Sequence, residues 1–475
     1  MKKIHANFSK PSQKKLDNLL KYYQTGRYVD AEKLSISMTK EFPEHQFAWK
    51  VLAVVLKLTG RISESLVASQ KSVKLAPQDA EAHNNLGSIL QELGRLDEAE
   101  KSYEQSIKLN ADYAGVHNNL GMTLEELGRL NEAESSYRKA IALKPDYAEA
   151  YNNLGNAFQW MGKLEEAMNC YIKAIELNSE LPESSQNLVE LLTSYASHKN
   201  ISHPIVKVHQ EIKKIYLKEV ASGIISDDKI IQLFCKSSKI IKEHDLKLGT
   251  NSTQAYRRNS IDLNCKRHMN IFNKFNIIPK FCFGCYKVQV EPKSIIELIK
   301  LFVVFDQIKF TENNTRKCMI EVRPEISGFY KGLIYCSNLE EAYQIANYLE
   351  IVVEENIRPG LHAVVKRGCS EYPVSFPDYK AINKSGAQLM NYNEDWKSIE
   401  EDHDSLSSIK SSKIITPSLS GLNLHDALII QNWIDYAKGI GDQSVHLLNQ
   451  NKIFTSNIYQ NAKSRIEKYP WQEIE

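Results

Sequence analysis

The densest group of chemically useful side chains is Cys265-Lys-Arg-His268, followed after thirteen intervening residues by Cys282-Phe-Gly-Cys285. A cysteine and a histidine three apart on a helix share one face, and a CxxC turn containing Gly284 can aim two sulfurs at one ion. Four soft ligands in two pairs suit tetrahedral zinc, structural in kind because four protein ligands leave no open position. The order differs from that of a standard zinc finger, in which CxxC comes first and a histidine pair last. An iron-sulfur cluster would want a fourth cysteine, for which Cys369 is available. Two other readings stand beside these: a CxxC redox pair, and cysteines that are simply small buried hydrophobes.

A second group is made of charges. The stretches Val288-Gln-Val-Glu-Pro292 and Ile320-Glu-Val-Arg-Pro324 both alternate and both end in a charged residue plus proline. Alternation in a strand sends Val288, Val290, Cys318, Ile320 and Val322 to one face and Lys287, Gln289, Glu291, Lys317, Glu321 and Arg323 to the other. On an open sheet face these charges are simply solvated. The sharper alternative is a polar site with Glu291 or Glu321 as acid-base group and Arg323 as anion holder.

The elements that position these residues are predicted from period. Tyr286 to Glu291 alternates, Pro292 opens an apolar helix through Ile295, Ile299, Phe302 and Val303, and Lys317 to Val322 alternates again. A turn at Ser327-Gly328 leads to a strand at Gly332 to Cys336, a helix to about Asn356 with Ser337 and Glu340 as capping box, and a last strand at His362 to Lys366. The order βαββαβ predicts an α+β domain with a ferredoxin-like core, both helices on one face of an antiparallel sheet. Beyond it a Ser-rich stretch, Ser405 to Ser420, reads as linker, and Asp426 to Lys438 as an amphipathic helix stopped by Gly439 that docks through Ile429 and Trp433. Glu400 to Asp404 reads as a solvated acidic turn, and Lys207, Lys213, Lys214 and Lys218 as the solvated face of a helix.

The first two hundred residues obey a different rule. At an offset of 34 residues Leu52, Leu86, Leu120 and Leu154 align, and so do Gly26, Gly60, Gly94, Gly128 and Gly162. Asn-Asn-Leu-Gly recurs at 84–87, 118–121 and 152–155; Ala99, Tyr103 and Ser106 recur as Ala133, Tyr137 and Ala140 and as Ala167, Tyr171 and Ala174. Spacings of four and three place one small, one aromatic and one small residue on a single helical stripe. Units one and two are weaker, with Ser65 and Ser69 where alanine and tyrosine stand later.

This pattern resembles the tetratricopeptide (TPR) repeat, a helix-turn-helix of 34 residues, over five units at residues 13–182. The resemblance implies an all-α superhelix whose first helices line the concave face and bind a protein or peptide client. Asparagine is a middling helix former, so its return at one interior position needs a reason. Asn85, Asn119 and Asn153 are similar in placement to the asparagine ladder of O-GlcNAc transferase, which implies that they are rungs for the backbone of an extended peptide. An amide carries the donor and the acceptor that a peptide bond needs. The plainer alternative is that these amides, or the adjacent Asn84, Asn118 and Asn152, bond repeat to repeat. Val51 holds the matching place in unit two, so the ladder has three rungs. The glycosyltransferase half of that enzyme is not recognisable here, and its activity is not carried over.

The predicted organisation is therefore five repeats at 13–182, a capping helix at 183–197, a helical connector at 198–260, an α+β domain with the possible Cys/His metal site at 261–380, and a Ser-rich linker with helical tail at 381–475. The 475 residues are 42% hydrophobic and 25% charged, the composition of globular protein. Sixty basic against fifty-eight acidic residues give +2, which lacks the global field of a dedicated nucleic-acid binder. No apolar run is long enough to span a bilayer, and MKKIHANFSKPSQKK lacks the apolar core of a secretory signal. A cytoplasmic protein is expected, with its eight cysteines as thiols or metal ligands. P-loop, strand-linked GxGxxG, HExxH, GxSxG and HxD patterns do not occur. The leading expectation is an interaction scaffold; the alternative is a transferase-like enzyme whose array presents a protein client to a charged site in the second half.

Overall fold

The structure is a computed structural model that describes residues 10–197, 201–220, 225–246, 248–261, 263–310, 312–323, 326–382, 388–406, 416–448 and 457–468. The chain forms two compact units that part between Leu181 and Pro182.

The first unit is five helix pairs: α1 (Gln13–Gln24) with α2 (Tyr28–Glu41), α3 (Gln46–Leu58) with α4 (Ile62–Leu75), α5 (Ala80–Glu92) with α6 (Leu96–Leu109), α7 (Ala114–Glu126) with α8 (Leu130–Leu143), and α9 (Ala148–Trp160) with α10 (Leu164–Leu177). Each pair turns at Gly26, Gly60, Gly94, Gly128 or Gly162, with φ from +71° to +78°, a conformation that side chains with a Cβ resist. The core is a lock between glycine and tyrosine. A Cβ on Gly87, Gly121 or Gly155 would lie 2.7, 2.6 and 2.6 Å from the ring of Tyr103, Tyr137 and Tyr171 respectively. All three rings are fully buried. Their hydroxyls reach back twelve residues to Gln91, Glu125 and Gln159 at 3.1, 3.0 and 2.9 Å.

The weaker units trade bulk between the two helices of a pair. In unit two Ala53 replaces the glycine and buried Ser69 the tyrosine; in unit one the pair is Leu19 and Ser35. Leu19 returns much of the lost bulk in unit one, whereas Ala53 returns only a methyl group in unit two. Ser65 adds a hydrogen bond of 2.6 Å to the carbonyl of Ala53.

The second unit contains α11 (Pro182–Leu191), α12 (Pro204–Val220), α13 (Asp227–Glu243), β1 (Gln254–Arg257), α14 (Cys265–Phe275), β2 (Tyr286–Val290), α15 (Ile295–Gln307), β3 (Arg316–Ile320), β4 (Tyr330–Cys336), α16 (Leu339–Asn356), β5 (Ala363–Arg367), α17 (Tyr372–Ser375), α18 (Trp396–Leu406), α19 (Leu424–Ile440) and α20 (Asn457–Lys468). The strands form one sheet in the order β1-β3-β4-β2-β5, each neighbour antiparallel. Val288, Val290, Cys318, Ile320 and Ile334 are buried on one face, where α15, α16 and α19 pack on the strands.

Several expectations are corrected here. Strand β1, within the stretch read as connector, extends the sheet by pairing with β3. Helices α12 and α13 pack on α19 and on α15, so they belong to the domain rather than leading to it. Leu188, Leu191 and Leu192 of the predicted cap are buried, and α11 packs on α19 within the second unit. The tail helix starts earlier than predicted, at a capping box of Asn423 and Asp426, and stops at Gly441 (φ +82°) rather than Gly439. Gly439 is interior because α20 lies on it: a Cβ there would be 2.5 Å from that of Ala462. Helix α16 is capped by Asn338, one residue past Ser337, with Asn338 accepting from the Glu341 amide at 2.9 Å. The acidic stretch at 400–404 is part of α18, and Glu400 is buried, accepting from the Lys280 amide and Tyr392 at 2.9 and 2.8 Å. Of the Ser-rich linker, residues 407–415 lie outside the described residues.

Arg257 holds the domain together at its centre. Its guanidinium pairs with Asp306 on α15, with Asp426 on α19 at 3.0 Å, and with the Gly421 carbonyl at 3.0 Å. Arginine and both carboxylates are under a tenth exposed, so each compensates for the desolvation of the others.

Candidate functional site

Two surfaces carry the residues singled out from sequence. In the first unit α3, α5, α7 and α9 pack successively on one another, which makes the row of first helices the tighter, inner curve of the stack. Asn85, Asn119 and Asn153 stand half-buried on three of these helices. The Asn119 amide donates to Asn84 Oδ1 at 3.0 Å and the Asn153 amide to Asn118 Oδ1 at 3.1 Å. Among the described residues Asn85 has no such bond, because Lys50 holds the place of the acceptor and instead pairs with Asp79 and Glu81 at 3.1 and 2.6 Å. The repeat-to-repeat bonding weighed as the plainer alternative is therefore present. It uses one N–H of each donor amide and leaves a second N–H, while Asn153 Oδ1 also accepts from the Asn152 amide at 3.5 Å.

In the second unit the Cys/His group is split. Cys265 opens α14, and His268 is buried against the Phe281 ring at 5.1 Å. Cys282 is buried with its sulfur 3.2 Å from the Tyr372 hydroxyl, and burial pushes its thiol up. Cys285 turns the other way and packs with Cys265, Met319, Leu333 and Tyr335; burial pushes it up to about 11. Among the described residues no group of three or more His, Cys, Asp or Glu side chains is placed to hold a metal ion. Whether Cys265, His268, Cys282 and Cys285 take up structural zinc or an iron-sulfur cluster is a question for elemental analysis of the purified chain.

The sheet face read as open is instead the floor of a cavity of about 390 Å³. Period two puts Gln254 and Tyr256 of β1, Lys317 and Met319 of β3, Lys331, Leu333 and Tyr335 of β4 and Lys287 of β2 on that floor. Arg258, Lys266, Cys265, Cys369 and Glu371 form part of the wall. Cys369 follows β5 through Gly368 (φ +56°), whose amide donates to the Cys285 carbonyl at 2.7 Å.

The charges sort into two sets. Glu321, fully buried, accepts from Arg323 at 2.7 Å and Lys331 at 2.9 Å, and Arg323 also pairs with Glu371. Burial opposes the charge of Glu321, but Arg323 and Lys331 outweigh it and bring its carboxyl down to about 2. A carboxylate held so low anchors cations rather than carrying protons at neutral pH. Glu291 lies outside the wall, where Gln289 donates to it and Lys366 is 3.8 Å away.

Lys287 and Lys317 form the second set. Among the described residues neither has a carboxylate within ion-pair distance. Lys287, 7% exposed, places its ammonium 3.5 Å from Cys369 Sγ and 5.0 Å from the centre of the Tyr335 ring. Lys317 sits 5.9 Å from the same ring centre and 3.2 Å from Gln254 Oε1. Burial first, then the charge of Lys287, pulls Lys317 down to about 8. Sequence reading placed both lysines on this face but gave them no role. It missed Tyr256, Arg258, Lys331 and Tyr335; the alternation Tyr-Lys-Gly-Leu-Ile-Tyr at 330–335 was the available signal.

Comparison with known proteins bears on the first unit. Residues 78–146 and 148–181 match two family models, both described as tetratricopeptide repeat. This segment of the chain consists of tetratricopeptide repeats. Among solved structures, MamA is 26% identical over 34% of this chain and 94% of its own, with a TM-score of 0.31. A thermophilic TPR protein of Thermus thermophilus, TTC0263, is 25% identical over 38% and 98%, with a TM-score of 0.34. YrrB, titled a TPR protein with an unusual peptide-binding site, is 17% identical over 37% and 91%, with a TM-score of 0.32. No curated protein matches the chain.

Proposed function

We propose that the repeat array is a scaffold that holds an extended segment of a partner protein along α5, α7 and α9, with Asn85, Asn119 and Asn153 as rungs on its backbone. The observation that carries this is the spacing of three half-buried amides on successive inner helices, two of them pinned by the preceding repeat. A pinned amide has lost its rotamer entropy before a ligand arrives, so a bond from its remaining donor or acceptor costs less to make. The match of residues 78–181 to tetratricopeptide repeats supports the same reading. In the second unit the strand order β3-β4-β2-β5, with α15 and α16 as crossovers, supports the split-βαβ, ferredoxin-like reading.

Each rung is worth about 0.5–1.5 kcal/mol net. The full chain and its N85A/N119A/N153A variant are to be titrated, by fluorescence anisotropy, with members of a library of unstructured peptides. The variant is expected to keep its helical circular dichroism and to lose about tenfold or more in affinity for peptides the parent binds. Unchanged affinity, or loss of the fold, would show that the amides serve only the stack.

A further inference from the structure

Lys287 is a more than nine-tenths buried ammonium that faces Lys317 across one tyrosine ring, with no carboxylate paired to either among the described residues. A desolvated charge of this kind favours a ligand of opposite sign; among the described residues the Cys369 sulfur, at 3.5 Å, is the side-chain acceptor the Lys287 ammonium has. The nearby Glu321 is committed to Arg323 and Lys331, and Glu371 to Arg323. Two further features point the same way. Helix α14, eleven residues long, begins at the cavity wall. A helix N-terminus offers backbone donors and a partial positive charge to an anion. Arg258, at the rim, stacks on Tyr256 at 4.5 Å and has no carboxylate partner among the described residues. Ile261, Leu263, Met269, Met319 and Leu333 give the wall its apolar part, beside polar Gln254, Asn264, Thr315 and Ser370.

We propose that this cavity binds a small phosphomonoester, its phosphate held between Lys287 and Lys317 at the N-terminus of α14 and its apolar or aromatic body against Leu333 and Tyr335. The two lysines fix the charge of the ligand. A carboxylate, with one negative charge, leaves one ammonium uncompensated, whereas a phosphomonoester carries close to two. The cavity volume of about 390 Å³ falls within the range of small-molecule sites.

The test is calorimetric titration of the full chain with inorganic phosphate, phenyl phosphate and benzoate, repeated on K287M and K317M. Phenyl phosphate should bind about tenfold or more tightly than benzoate, and more tightly than inorganic phosphate, which lacks the body. Each lysine variant should lose about tenfold or more in affinity for phenyl phosphate, since charge-assisted bonds are the strong ones. Without ligand each variant should melt at the parent temperature or above, because methionine keeps the stem and removes the buried charge. Benzoate binding as well as phenyl phosphate, no saturable heat from phenyl phosphate, or K287M and K317M binding it as the parent does would each overturn the proposal. So would a fall in melting temperature of both variants, which would make the lysines structural.

Discussion

A lysine held below its ordinary range is a handle on the cavity. Lys317 is met by Lys287 from β2, Tyr256 from β1, Tyr335 from β4, Cys265 from α14, Cys369 beyond β5 and Arg323 beyond β3. Burial and Lys287 lower it to about 8, whereas an unfolded lysine titrates near 10.4. Phenyl phosphate affinity should therefore fall as pH rises through about 8, where Lys317 loses its proton, and fall below about 6, where the ester takes up its second proton. Calorimetry from pH 5 to 10 checks this; affinity flat to pH 10 would place the phosphate elsewhere. The sign for folding is opposite. Between about 8 and 10.4 the unfolded chain binds more protons at this residue, so its contribution to stability rises with pH across that window. Sequence placed Lys317 on the right face but not in a cavity, because what covers the face comes from α14 and the turn after β5, distant in the chain.

Among the elements, the glycine-tyrosine lock makes a prediction in which two effects compete. Gly121→Ala gains about 0.8–1 kcal/mol of helix propensity, but its Cβ would lie 2.6 Å from the ring of Tyr137, which is fully buried and has nowhere to move. Overpacking of this kind costs about 1–3 kcal/mol, so denaturant unfolding should show net destabilisation. A more stable variant would mean that the helices are not in close contact there. Arg257 makes a second prediction: R257M strands Asp306 and Asp426 as buried carboxylates and should cost about 3–5 kcal/mol. R257K, which keeps the charge without the fork, should cost less in the same urea titration. Neither role of Arg257 was legible. Gln254–Arg257 is four residues long, too short for alternation to show, and its partners lie 49 and 169 residues away. The helix ends at Asn338 and Gly441 were each read a residue or two off, since cap positions depend on local backbone geometry that neighbouring serines and glycines mimic in sequence.

Along the full chain, what sequence read well is what repeats. Five glycine turns and three tyrosine stripes in register make the first unit legible in sequence, because each repeat solves the same packing problem. The second unit solves its problem once. Its strands from Tyr286 onward and the helices α15, α16 and α19 showed in period, but the extra strand, the packing of α12 and α13 and the cavity arise from long-range contacts. A net charge of +2 likewise hides a strongly basic cavity, since charge averaged over 475 residues carries no position. The reading of the array as a gripper of peptide backbone is tested most directly with one peptide in three forms. A library peptide bound by the full chain is compared with its scrambled sequence and with a copy whose backbone amides are N-methylated, each titrated by anisotropy. If the asparagine rungs hold the backbone, scrambling should change affinity by less than about threefold, and N-methylation should weaken binding by about tenfold or more. Affinity that follows the side-chain sequence and ignores N-methylation would show that the rungs do not hold the peptide.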